Sequence, residues 1–233
     1  MQAPKSVTRI RNAVITLAIG IVAGCSDAGT GPIDLPDLAH DPILFVHGYG
    51  GNKSNLSEMI ASFKADGWTD SELYAYDYSF VTSNAVNAQE IRDQINAIVA
   101  TTGATKVDII GFSMGSISSR YYLKNLGGDA RVDAWVSLGG PNHGTDAALN
   151  CSDTFTPCRE IVPGSTFLAT LNAGDETPGL TRYATWRSPC DTTINPDESV
   201  ALAGATNNQT ACIAHLQLIT DRTTYTQVRA FVD

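Results

Sequence analysis

A chain of 233 residues that is 43% hydrophobic and 17% charged has globular proportions, which exclude the low-hydrophobicity, high-charge composition of a disordered chain. The length suits one medium domain with a full core, or two small ones at most. Its formal net charge is −9, and no Lys/Arg stripe interrupts the acidity, so nucleic acid is excluded as a partner because an acidic surface repels phosphate backbones.

The first 24 residues hold Lys5, Arg9 and Arg11 and no acid, leaving 12 bases against 24 acids in the remainder, or −12. Ala13–Gly24 (AVITLAIGIVAG) is an apolar run whose helical rise of about 18 Å falls short of a hydrocarbon core near 30 Å, the pattern of a signal peptide rather than a span. It ends V-A-G-C at Val22–Cys25, which resembles the lipobox of bacterial lipoproteins. That resemblance implies cleavage before Cys25, lipidation of Cys25 and anchorage in the cell envelope, with Ser26 suiting the outer membrane. Ordinary cleavage and free secretion is the other reading. Residues 26–40 (SDAGTGPIDLPDLAH) have no apolar period and read as a tether. The expected organisation is a signal peptide over 1–24, a lipidated cysteine and tether over 25–40, and one catalytic domain over 41–233.

Five cysteines are odd for an oxidising compartment; with Cys25 given to lipid, Cys151, Cys158, Cys190 and Cys212 form an even set. Three pairings are possible, the sequence-local one being Cys151–Cys158 with Cys190–Cys212. No C-x-x-C spacing exists, which disfavours a zinc site or a thioredoxin-like pair; no metal site is expected.

From Asp41 onward, short apolar runs alternate with helical spacings. ILFV (43–46) reads as a buried strand, Asn52–Asp66 as a helix, and ELYAYDY (72–78) as a second strand. Asn84–Ala100 places Val86, Ile91, Ile95, Ile98 and Val99 on one helical face. KVDIIGF (106–112) is a third strand, Met114–Leu126 a helix ended by Gly127-Gly128, and VDAWVSLGG (132–140) a fourth strand. Residues 141–180 are irregular apart from a short helical piece at Thr166–Asn172, and suit a small cap over the strand ends. RYATWR (182–187) is a fifth strand and Thr223–Val232 a closing helix. The alternation predicts an α/β architecture, a mostly parallel central sheet with helices on both faces and no large lid domain.

G-F-S-M-G at 111–115 matches G-x-S-x-G between an apolar strand and a helix, the context a nucleophile elbow requires. A serine hydroxyl needs a base to take its proton and an acid to fix that base's tautomer. Of the four histidines, His40 lies in the tether, while His47 and His143 sit in Gly-rich loops as backbone braces. His215, before the last helix, suits the order nucleophile, acid, histidine. Asp191 follows the fifth strand and is the preferred acid, with Asp197 the fallback. A Cys190–Cys212 bond would hold the Cα atoms of those residues about 5.5 Å apart, with Asp191 one residue from one end and His215 three from the other. The expected oxyanion donors are the backbone N–H groups of Met114, after the nucleophile, and Tyr49, in the loop after the first strand.

The stretches ILFVHGYGGNKSN, VDIIGFSMGSISSRYYLKNLGG, VDAWVSLGGPNHGT, SPCDTTINPDESVALAGATN and HLQLITD, in that order, resemble the small secreted bacterial triacylglycerol lipases of class 2. The resemblance runs from about Asp41 to the C-terminus. It implies a minimal α/β-hydrolase fold, Ser113, Asp191 and His215 as triad, Tyr49 and Met114 as oxyanion donors, and cofactor-free hydrolysis of acylglycerol esters. Two positions depart from the family: Phe112 stands where His is usual, and Ser116 where a second Gly is common. The substrate is expected to be an acyl ester or lipid and the protein a monomer, with membrane contact through an N-terminal lipid if the lipobox is used. Weak interfacial activation is expected without a long lid. An acyltransferase or thioesterase with the same triad, or a silent acyl-binding lipoprotein, are the alternatives.

Overall fold

A computed structural model describes residues 34–233 of the chain. The expected signal peptide over 1–24 and the lipidated Cys25 lie outside the described residues. Six strands form one sheet in the order β2-β1-β3-β4-β5-β6: β1 (Ile43–Val46), β2 (Leu73–Ala75), β3 (Val107–Phe112), β4 (Val132–Leu138), β5 (Arg182–Arg187) and β6 (Thr206–Gln209). Every neighbouring pair is parallel. β1 and β3 are buried along their whole length, which explains their unbroken apolar runs: a parallel strand covered on both faces has no solvent side to mark with polar residues.

Alternation along the strands splits the core into two layers. Ile43 and Phe45 face one side, where they pack with α1 (Ser57–Ala65) through Met59 and Phe63 and with α6 (Arg222–Val232) through Tyr225 and Val228. Leu44 and Val46 face the other, against α2 (Asn84–Thr102) through Ile91, Ile95 and Ile98 and against α3 (Met114–Asn125) through Tyr122 and Leu123. A third apolar cluster joins Met114 and Ile117 at the start of α3 to Ala148, Ile161, Leu168 and Leu171 of the segment after β4. That segment carries α4 (Thr156–Glu160) and α5 (Thr166–Asn172), and it is the small cap that the irregular stretch 141–180 predicts. Glu160 at the end of α4 ties the cap to the start of α2, accepting from Ser83 Oγ at 2.5 Å, Asn84 N at 2.7 Å and Asn84 Nδ2 at 2.9 Å.

The structure differs from the expected elements in three places. The second strand stops at Ala75 rather than Tyr78, because the next residues turn back to the end of β1: Asp77 accepts from Lys53 N at 2.8 Å, and the Tyr78 hydroxyl donates to His47 O. The expected helix over 52–66 begins as a 3₁₀ turn, Lys53–Leu56, capped by the Asn52 side chain, before α1 starts at Ser57. β6 has the sequence TNNQ and lies mostly exposed at the sheet edge, so it has no apolar alternation by which to be found.

At the amino-terminal end of the sheet, carboxylate oxygens of Asp41, Asp108 and Asp133 lie within 4.8 Å of one another. Burial pushes the Asp108 carboxyl well above the usual range. The Ala134 N–H that it accepts at 2.8 Å opposes this, Asp41 and Asp133 reinforce it, and Arg182 opposes it more weakly. A carboxyl whose pKa is raised on folding makes a stabilising contribution that is fully present below its unfolded value and is lost as pH rises through the folded value. Asp108→Asn keeps an oxygen for Ala134 N and removes the charge. It is expected to raise the thermal midpoint at pH 7 and to have no such effect near pH 4, as calorimetry at the two pH values would read.

Candidate active site

All six strands run parallel, so the loops leaving their carboxyl ends collect along one edge of the sheet, the place where open α/β sheets bind ligands. His47, Ser113, Gly139 and Ser188 each follow a strand directly at that edge.

Ser113 has φ 53°, the one non-glycine residue with positive φ among the described residues. Such a conformation is costly for a residue with a Cβ and persists only where the surroundings impose it. Here they do: Ser113 N donates to Leu138 O at 2.8 Å, and Ser113 O accepts from Ser116 N at 3.0 Å at the first turn of α3. The flanking glycines are sterically required. A Cβ on Gly111 would sit 2.8 Å from Ser116 Cα, and one on Gly115 would sit 2.4 Å from both Val46 O and His47 O. Gly48, in the loop after β1, is equally close, since a Cβ there would lie 2.8 Å from that of Ser113.

The other two predicted side chains meet at the same edge. Asp191 and His215 are both buried, and Asp191 Oδ2 lies 2.6 Å from His215 Nδ1. Asp191 Oδ1 accepts from Thr193 N at 2.8 Å and Ile194 N at 3.0 Å, so the carboxylate has no freedom to rotate away from the ring. With Nδ1 donating to a carboxylate, the neutral imidazole carries its lone pair on Nε2. That atom is buried with no hydrogen-bond partner among the protein groups. The ring packs at 4.8 Å on Phe112, the residue before Ser113, and against Gly139, where a Cβ would lie 3.0 Å from His215 Cε1. Ser113 and His215 thus share the Leu138–Gly139 corner, although no Ser113–His215 hydrogen bond is formed. Unliganded catalytic sites commonly hold this contact long or misaligned.

The bond between Cys190 and Cys212 holds their Cα atoms 4.9 Å apart, and the second bond joins Cys151 to Cys158. A residue not singled out in the sequence reinforces the first of these. Ser188 Oγ donates to Ile213 O at 2.6 Å and accepts from Ile213 N at 3.0 Å and Cys190 N at 3.2 Å, fastening the aspartate loop to the histidine loop beside the sulfurs. Asp197, the fallback acid, pairs with Arg187 instead. His47 and His143 brace their loops: His47 Nδ1 lies 2.9 Å from Gly48 O, and burial holds its imidazole below the usual pKa despite that contact and the nearby Asp77. His143 spans Ser199 O and Glu176. The two departures at the elbow have structural roles. Phe112 forms one wall against the imidazole, and Ser116 Oγ donates to Gly111 O at 2.9 Å, its Cβ fitting because Gly140 has none.

Beside Ser113 opens a cleft of about 90 Å³, lined by Tyr49, Met114, Pro141, Thr145, Ala148, Cys151, Cys158, Ile161 and Ile194, among others. Tyr49 and Met114, whose backbone N–H groups are expected to hold an oxyanion, are among the residues that line it.

A parallel sheet with a positive-φ serine between a central strand and its following helix, and with an Asp–His pair on later loops of the same edge, defines a minimal α/β-hydrolase. Within that class, residues 40–229 match the family model for class 2 lipases, and the chain belongs to that family. It is 27% identical to a triacylglycerol lipase of Pseudomonas fragi over 130 residues, a match spanning 51% of this chain and 40% of that protein's length. Among solved structures it is similar to the mature form of the Bacillus licheniformis lipase BlEst2, with a TM-score of 0.73 at 20% identity, covering 87% of this chain and 96% of that one. It is also similar to Aspergillus fumigatus lipase B, with a TM-score of 0.67 at 15% identity over 80% of this chain and 51% of that one. At such identities the likeness shows the fold.

Proposed function

We propose that the protein is a carboxylic ester hydrolase acting on acyl esters of the lipase class, with Ser113, His215 and Asp191 as its triad. The observation that carries this reading is the buried Nε2 of His215. An acceptor left unpaired in the interior costs about 1–3 kcal/mol, and one held beside a strained serine is poised to take that serine's proton. His215 Nε2 accepts the proton as Ser113 Oγ attacks the ester carbonyl carbon. The oxyanion forms against the N–H groups of Tyr49 and Met114, and Asp191 stabilises the imidazolium. As the tetrahedral intermediate collapses, the carbon–alkoxide bond breaks and His215 returns the proton to the departing alcohol, leaving an acyl group on Ser113. Water, deprotonated by the same imidazole, releases the acid and regenerates the hydroxyl. No step calls for a metal or cofactor.

The test is covalent. Incubating the full chain with a phosphonate ester, which mimics the tetrahedral intermediate, is expected to add one phosphonyl group to the peptide that holds Ser113. Ser113→Ala is expected to remain unlabelled. Labelling of another residue, or of none in a folded protein, would overturn the assignment. The two disulfides suit an oxidising compartment and, with the signal-peptide pattern of residues 1–24, support export; the V-A-G-C sequence at 22–25 supports a lipid on Cys25. The labelled chain, expressed in a diderm host, is then expected in the membrane fraction, and Cys25→Ala is expected to shift it out. Recovery of both in the same fraction would oppose the anchor.

A further inference from the structure

On the function proposed above, with Ser113 as nucleophile, the cleft beside that serine bounds the substrate more tightly than the class of reaction does. A carbonyl carbon bonded to Ser113 Oγ, with its oxygen at Tyr49 and Met114, carries two further substituents. The alcohol must face His215 to receive its proton. His215 lies outside the residues that line the cleft, so the substituent entering the cleft is the acyl chain. Sealed apolar cavities of about 150 Å³ take a six-carbon ring, so about 90 Å³ admits roughly three or four carbons beyond the carbonyl.

The far wall explains why the space is short. Ala148, Cys151, Cys158 and Ile161 face the cleft, whereas their chain neighbours Leu149, Ser152, Arg159 and Val162 line a second, larger cavity of about 570 Å³. A single thin segment, closed on itself by the Cys151–Cys158 bond and carrying α4, separates the two spaces. Its fixed position has independent support: Glu160, on the same segment, is clamped by three hydrogen bonds from Ser83 and Asn84, and Thr145 N at its start donates to Ile161 O at 3.0 Å.

We infer that the Cys151–Cys158 loop with Ile161 is a specificity-determining partition that restricts this enzyme to short acyl esters, and that opening it admits longer chains into the larger cavity. The ligand class is thereby an ester of a short, straight-chain acid, about two to five carbons in all, rather than of a long fatty acid. Neither cysteine takes part in the chemistry; the bonded pair acts as wall.

The experiment measures kcat/KM of the full chain on dissolved p-nitrophenyl acetate, butyrate, hexanoate and octanoate. In the wild-type protein, octanoate is expected to fall at least about tenfold below butyrate, since one misfit methylene in an apolar pocket is worth about 10-fold or more. In Cys151→Ser/Cys158→Ser and in Ile161→Ala, the octanoate-to-butyrate ratio is expected to rise by about tenfold. Ala148→Leu, which fills the cleft, is expected to lower the butyrate-to-acetate ratio by a similar factor. Because the cysteine variant can fail to fold, which circular dichroism would reveal, the two single variants decide the question independently. A wild-type rate that holds or climbs through octanoate overturns the inference and leaves the proposed hydrolase standing. So do Ile161→Ala and Ala148→Leu variants that change every ester by the same factor. A folded wild-type protein that turns over none of the four esters removes both.

Discussion

Ser113→Ala is expected to lower kcat on p-nitrophenyl butyrate by about 10⁴- to 10⁶-fold, and Asp191→Asn by about 10⁴-fold, with the double variant no slower than Ser113→Ala alone. The three numbers matter together. Removing the hydroxyl abolishes the nucleophile, so every benefit the imidazole confers is lost with it. What remains is the uncatalysed attack of water, helped only by the oxyanion donors and by binding. Asp191→Asn leaves the nucleophile but changes the tautomer. An amide turned to donate to Nδ1 would make that nitrogen the acceptor and shift the ring proton to Nε2, which could then no longer accept from Ser113. The geometry makes this the expected outcome, because Asp191 Oδ1 accepts from two backbone N–H groups at 2.8 and 3.0 Å. In the variant, the one amide oxygen is held by those donors, and the NH₂ faces His215. Since the acid acts only through the base and the base only through the serine, the losses do not add. A double variant slower than Ser113→Ala by a further factor of about 10² or more would mean that the two residues act separately, and the triad would have to be abandoned.

The second large effect falls on stability. Gly115→Ala is expected to destabilise the fold by about 3 kcal/mol or more, above the usual range for overpacking. The added carbon would lie 2.4 Å from two carbonyl oxygens, those of Val46 and His47, and 2.9 Å from Val46 C. These are backbone atoms at the end of a strand buried throughout, and they have no rotamer by which to yield. The first turn of α3 must instead move away from β1. That shift carries the Met114 N–H with it, so surviving folded protein is expected to lose turnover as well. Urea unfolding read by fluorescence and circular dichroism gives the stability change. A variant unfolding within about 0.5 kcal/mol of the wild type would show that the elbow has slack. Against a typical domain stability of about 5–15 kcal/mol, a loss of this size is expected to reduce the yield of soluble protein.

Much of this site is legible in the sequence. ILFV and VDIIGF are readable as buried strands because a parallel strand covered on both faces is apolar throughout, and the glycines around Ser113 mark the turn because only hydrogen fits there. The order of Ser113, Asp191 and His215, with cysteines near the last two, is readable, and Ser113 and Asp191 each follow a legible strand, so that parallel strands bring their loops to one edge; the strand before His215 is not legible. β6 stays hidden for the converse reason: an exposed edge strand takes its shape from pairing with β5, and TNNQ has no buried face to show. Ser188 is equally invisible, since a serine that stitches two loops is distinguished only by what lies near it. The cleft beside Ser113 likewise belongs to no single stretch of sequence: Met114, Ile194 and the Cys151–Cys158 loop, from three parts of the chain, line it together.

The chemical groups are written along the chain: a serine in a turn that only flanking glycines permit, and an aspartate and a histidine set near two cysteines that bond to each other. Orientation and room come from folding alone, which leaves Nε2 of His215 without a partner and sets the size of the cleft beside Ser113. Chemical identity is a property of a side chain and its immediate neighbours, whereas distances across loops are fixed only when both layers of the core have packed against the sheet.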